Sequence, residues 1–104
     1  MAYAAKGGHQ DIVNQMLERG ANDYNDTMIE ASRYGHLTIV DQMLALGSNS
    51  YNDALVSAAE GGQQCIVDKM LALEANDYDN AMWYSITCGH DDITDHIQKL
   101  ITSV

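Results

Sequence analysis

Proline and phenylalanine are absent from the 104 residues, and five Lys and Arg side chains stand against fifteen acidic ones, a formal charge of −10. With no proline to interrupt a helix, abundant aliphatics and Met, and Gly and Asn recurring between short apolar runs, the composition predicts an all-α chain joined by tight turns. The shortage of basic residues excludes nucleic acid as a partner. Protonating all four histidines only raises the charge to −10 + 4 = −6, which a phosphate backbone repels. Apolar runs stop at four or five residues, far short of the ~20 that cross a bilayer, and the N-terminus lacks the basic-then-apolar pattern of a secretory signal. A soluble, intracellular, cytoplasmic chain with no membrane partner is expected. The two cysteines, Cys65 and Cys88, form no CxxC and no metal-ligand spacing. They are too few for a disulfide scaffold and are expected to be free thiols. The length allows one small domain, residues 1–104.

What the sequence does contain is a period. Gly8, Gly35, Gly62 and Gly89 recur at one constant interval, 35 − 8 = 62 − 35 = 89 − 62 = 27. The same register aligns Ile12-Val13, Ile39-Val40, Ile66-Val67 and Ile93-Thr94, and then Met16-Leu17, Met43-Leu44, Met70-Leu71 and Ile97-Gln98. Asn22, Asn49 and Asn76 align, as do Tyr24, Tyr51 and Tyr78. Four copies fill the chain, approximately residues 1–25, 26–52, 53–79 and 80–104.

Each copy reads as two helices. In the third, Asn52 and Asp53 precede the alanine-rich run 54–60, and an Asn or Asp there is an N-cap signal because its side-chain oxygen accepts an orphan backbone N–H. Gly62 and its equivalents can take the positive φ that ends a short helix. In the second run Ile66, Val67, Met70 and Leu71 make one apolar stripe, opposite the polar Gln64, Asp68 and Lys69. Helices this short cannot bury their stripes alone, so neighbouring copies are expected to stack into an α-solenoid with a continuous apolar seam. The small pairs Ala4-Ala5, Ala31-Ser32 and Ala58-Ala59 stand where close packing needs them, and Ser85-Ile86 breaks the series.

The pattern Gly-His-x-x-Ile-Val-x-x-Met-Leu-x-x-Gly-Ala/Ser-Asn, in Gly8 to Asn22 and Gly35 to Asn49, follows a short helix ending in paired small residues and resembles the ankyrin repeat. The resemblance covers essentially the whole chain and recurs four times in register. Ankyrin repeats run to about 33 residues with a Thr-Pro-Leu-His start, so the shorter period here resembles a reduced version without the β-hairpin finger. The resemblance implies a non-catalytic protein-interaction module that binds a partner protein through the concave face of the solenoid.

By position, the inner face is expected to carry Lys6, Glu30, Arg33, Tyr34, Ser57, Glu60, Tyr84 and Thr87, which differ between copies while the seam stays constant. Tyr34 and Tyr84 are the expected anchors, because an aromatic ring gives much contact area for few frozen torsions. Lys6 and Arg33 share one register position, which predicts an inner face less negative than the outside. On the outer helices Asp41, Asp68 and Asp95 share another, a ladder of like charges expected to be a solvated surface.

The chemistry-like features read as structural. His9, His36 and His90 follow the glycine in three copies, but about one helix spacing apart they cannot share a zinc ion. With Gln63 in the third copy, hydrogen bonding at the turn explains the position better. Asp92 and His96 are the densest pair of candidate ligands, on a water-facing side. No Ser/His/Asp arrangement, phosphate loop or paired buried carboxylate stands out, so no enzyme activity, metal or cofactor is expected. The Asn25-Asp26-Thr27 sequon reads as incidental, with Asp26 wanted as a helix cap. The Asn and Tyr ladders are expected to satisfy backbone groups and to stack over the seam between copies.

Two features concern the ends and one a turn. Thr94 and Gln98 replace Val and Leu in the fourth copy, as a capping repeat requires. Met1 aligns with Met28, Leu55 and Met82 inside the first helix, so Ile12, Val13 and Met16 are expected to be poorly covered. The chain is then the tail of a longer array or docks its open end. A self-associating structural segment using this uncapped repeat, a homo-oligomer, is the alternative function. Glu74 stands where Gly20 and Gly47 end the second helix. The left-handed conformation costs a non-glycine residue roughly 1 kcal/mol, so this turn is expected to relax or extend the helix.

Overall fold

The computed structural model describes residues 1–102; residues 103–104, the end of the fourth expected copy, lie outside them. Among the described residues there are eight helices and no strand: α1 (Ala2–Lys6), α2 (Gln10–Glu18), α3 (Tyr24–Tyr34), α4 (Leu37–Ala45), α5 (Tyr51–Gly61), α6 (Gln64–Ala72), α7 (Tyr78–Thr87) and α8 (Asp91–Thr102). The protein is all-α. α3 packs on α1, α4 and α5, α5 on α3, α6 and α7, and α7 on α5 and α8. The odd-numbered helices therefore form one row and each carries an even-numbered helix against it, in a molecule of 46 × 24 × 16 Å.

The apolar stripes make the core. Val13, Val40 and Val67, Ile39, Ile66 and Ile93, and Met43, Met70 and Ile97 are all buried on the even-numbered helices. Met28, Leu55 and the small residues Ala4, Ala5, Ala31, Ser32, Ala58 and Ala59 meet them from the row. Each large side chain contributes on the order of 1.5–3 kcal/mol by leaving water, and the small ones let neighbouring helix axes approach. Val13 is buried, contrary to expectation, while Ile12 is exposed and Met16 only half-buried. Both cysteines are free and exposed, and no described helix is long and apolar enough to cross a membrane.

The helix starts differ from the sequence reading. α3, α5 and α7 begin at Tyr24, Tyr51 and Tyr78, ahead of the expected caps, and their N-cap residues Asp23, Ser50 and Asp77 make no side-chain cap hydrogen bond. Asp26 lies inside the first turn of α3 and is not a cap. Asn52 is likewise within a helix, and its Oδ1 accepts from the backbone N–H of Asn76 (2.8 Å) and Asp77 (3.1 Å) in the connection ahead of α7. Asn25 does the same one register earlier, accepting from Asn49 N–H (3.0 Å) and the Ser48 hydroxyl (2.6 Å). A distant partner captured the side chain that local sequence assigns to a cap. The three tyrosines are half-buried against the core, but the ring contact among the described residues is Trp83 on Tyr84, edge to face at 4.9 Å, and not a tyrosine stack.

The turn at Glu74 neither relaxes nor extends. Glu74 takes φ 72°, and α6 stops at Ala72 as α4 stops at Ala45. Packing of Ala75, buried just after it, outweighs a local penalty of about 1 kcal/mol. In the last pair Gln98 is exposed, as a polar cap requires, whereas Thr94 is turned inward. It is half-buried, and its hydroxyl lies 2.6 Å from that of Ser85 on α7.

Candidate interaction face

The solvent side of the row α1, α3, α5 and α7 carries the residues expected to meet a partner. Between α3, α5 and α7 lies a shallow depression of about 370 Å³ whose lining includes Ile29, Arg33, Val56, Ser57, Asn80 and Tyr84. Lys6 and Glu30 line a second hollow nearer α1, with Tyr3. The Lys6 ammonium sits 5.4 Å from the centroid of the Tyr34 ring, within reach of a cation–π attraction.

Arg33 is not free. Its Nη1–H donates to Glu30 Oε1 at 3.1 Å, Nε–H to Glu60 Oε2 at 3.2 Å and Nη2–H to the Ser57 hydroxyl at 3.4 Å. One cation between two carboxylates leaves that cluster at 1 − 2 = −1. The expected relief of negative charge on this face is therefore confined to Lys6. Ser57, expected on the surface, is buried, because its short side chain lies beneath the Arg33 guanidinium. Thr87 is exposed, but its hydroxyl donates to the Trp83 carbonyl at 2.7 Å. Tyr84 is half-buried and stacked edge-on to Trp83.

Two exposed aromatic rings lie outside the expected set. Tyr3 is 89% and Trp83 60% exposed. Tyr3 occupies the same register position as Glu30, Ser57 and Tyr84, so the repeat period could have found it. Trp83 aligns with Val56 and Ile29, both half-buried in the row, and the apolar character of those positions concealed an exposed ring.

Outside the row, polar side chains pair across neighbouring units at constant offsets. Gln42 Nε2–H donates to Asn14 Oδ1 at 3.0 Å, Lys69 pairs with Asp41, and His96 Nε2 lies 3.0 Å from Asp68 Oδ1. The three pairs share one sequence offset, 42 − 14 = 69 − 41 = 96 − 68 = 28. Asp41, Asp68 and Asp95 are exposed, as a solvated surface requires, but Asp41 and Asp68 are each bonded to a neighbouring unit, and His96, read with Asp92 as charged surface, is turned to Asp68. At the turns, His36 Nε2–H donates to the Lys6 carbonyl (3.1 Å), Gln63 Nε2–H to that of Arg33 (3.2 Å) and His90 Nε2–H to that of Glu60 (3.1 Å). A carbonyl only accepts, so the ring nitrogen facing it carries the proton. This series too keeps a single offset, 36 − 6 = 63 − 33 = 90 − 60 = 30. Among the described residues no three His, Cys, Asp or Glu side chains converge as a metal site would require. No family model matches the chain, and no curated protein matches it.

Proposed function

We propose that the chain is a non-catalytic protein-interaction module, an α-solenoid of four stacked ankyrin-like helix pairs that binds a partner protein through the concave side of the row. The observation that carries this reading is the exposed row itself. Scaffold positions repeat in register from copy to copy, whereas Tyr3, Lys6, Tyr34, Trp83 and Tyr84 supply unlike groups around open depressions. Aromatic rings beside acidic side chains suit a partner segment that mixes apolar and basic residues. The hydrogen bonds and ion pairs that recur at one fixed offset within each series support the stacked arrangement. Only units repeated in space by the same step would meet at the same offset each time.

The test is affinity capture of a partner, followed by titration of that purified partner against Tyr34→Ala, Trp83→Ala and Tyr84→Ala. Loss of one aromatic anchor should weaken binding about tenfold or more, while Glu18→Ala, on the opposite side, should leave it unchanged. Equal affinity for all four variants would remove this face from the interaction.

A further inference from the structure

The depression of about 370 Å³ in the row is bounded by three consecutive helices, α3, α5 and α7, and its lining is sorted by chemistry. One face of α5 supplies Asp53, Val56 and Ser57, spaced i, i+3 and i+4 so that they share that face. Asp77 stands at the start of α7 and Tyr84 two turns along it, while Ile29 enters from α3. Both carboxylates therefore lie at the end where α5 and α7 begin. The half-buried Ile29, Val56 and Tyr84 stand one to two turns further along.

No positive charge in this lining is free. Arg33, its one cation, is held between Glu30 and Glu60. Asp53 makes no ion pair or side-chain hydrogen bond among the described residues. The two oxygens of Asp77 accept from the Asn80 amide, at 3.2 and 3.0 Å, and a neutral amide fixes a carboxylate without cancelling its charge. With the Arg33 cluster at −1, Asp53 and Asp77 bring the depression to −1 − 2 = −3. Ser57 adds an unused donor. It is only 5% exposed, and its hydroxyl accepts from Arg33 Nη2–H but donates to no described group, whereas those of Ser32 and Ser85 donate to carbonyls of their own helices. A buried hydroxyl with a spare proton beneath an open depression suits an incoming acceptor.

We propose that this depression receives an arginine-bearing peptide segment of the partner protein. The guanidinium bonds the Asp53 and Asp77 carboxylates, an adjacent aliphatic side chain covers Ile29 and Val56, and a backbone carbonyl of the segment accepts from Ser57. The inference deepens, and rests on, the reading of the row as a binding face. Charge complementarity selects the occupant: a site of −3 attracts a cation and repels a phosphate backbone or an anionic membrane. Arginine suits it better than lysine, because its planar fork can bond two carboxylates while packing on the Tyr84 ring. A small cation alone would leave Ile29 and Val56 uncovered, which a peptide does not.

A random peptide library displayed on phage and panned against the immobilised full chain tests this. Bound peptides should be enriched in arginine beside an aliphatic residue, and the enrichment should vanish on the double variant Asp53→Asn/Asp77→Asn. A synthetic peptide of the enriched sequence, titrated by fluorescence anisotropy, should bind that variant about tenfold or more weakly than the wild type, and its affinity should fall as salt rises. Replacing the peptide's arginine by alanine should cost as much on the wild type and little on the double variant, as coupled groups require. Asp11→Asn/Glu18→Gln removes the same charge from α2 and should leave binding unchanged. No arginine enrichment, equal affinity for wild type and Asp53→Asn/Asp77→Asn, or an equal loss in the α2 variant would each overturn the proposal. Peptides without a basic residue that ignore Asp53→Asn/Asp77→Asn but lose affinity for Tyr34→Ala would overturn it while keeping the row as a binding face. Peptides indifferent to every variant on the row would remove that face as well.

Discussion

Gly61 closes α5, and a Cβ there would run into the carbonyl oxygen of Arg33 on α3. Backbone cannot yield as a flexible side chain does, so Gly61→Ala should cost about 3 kcal/mol, near the upper end of overpacking penalties. Gly20 has a left-handed φ of 92° but open space around it, and Gly20→Ala should cost only about 1 kcal/mol for the backbone conformation. Urea denaturation of both variants checks the order, and equal losses would mean that the α3–α5 approach relaxes. Asp23 gives a pH prediction. Partial burial alone would raise its carboxyl, but hydrogen bonds from its own backbone N–H, the Met1 ammonium and Ala2 N–H, together with the ammonium charge, hold it below its ordinary 3.8. A carboxyl lowered on folding stabilises fully above its unfolded value and loses that contribution as pH falls through the folded one. Amide protection in α1 should therefore decline in acid below 3.8, and Asp23→Asn should lower it at neutral pH and abolish that acid dependence.

At the scale of elements, the connections ahead of α5 and α7 are held by side chains in the first turn of the preceding odd-numbered helix. Asn52→Ala would leave the Asn76 and Asp77 amides without their acceptor. Stability should drop by about 1 kcal/mol, with faster hydrogen exchange at those two amides and little change in α2. An effect spread evenly over the chain would argue against a local tie. The existence and alternation of the helices were legible in the stripe Ile66, Val67 and Met70 and its equivalents, because a 3.6-residue repeat of apolar groups is a local property. The helix starts were not. An Asn beside an alanine-rich run reads as a cap from neighbours alone, whereas the acceptor role of Asn52 depends on the backbone of Asn76 and Asp77, in the connection that follows α6. Arg33 was misjudged for the same reason: Glu60, one register on, takes its charge, and only the stacking of α3 on α5 brings the two together.

For the whole molecule, a charge of −10 on 104 residues sets a repulsion that a surface pair such as Asp41–Lys69 offsets only in part. Raising sodium chloride from about 20 mM to about 500 mM shortens the screening length several-fold, so the melting temperature should rise. A fall would mean that the bonded pairs contribute more than the net charge costs. The face of the row was legible as a set of register positions, and Lys6, Tyr34 and Tyr84 do line it or stand beside it. What could not be read was which of its groups are available: Ser57 is covered, Arg33 is occupied, and Trp83 is open to solvent. The sequence by itself determined the all-helical character and most of the core, Val13 and Ser57 excepted, since both follow from apolar spacing within one or two helical turns. Only the tertiary structure decided which polar side chains are spent inside the molecule and which remain for a partner, because those pairings join groups from different copies of the repeat that become neighbours only once the helices pack.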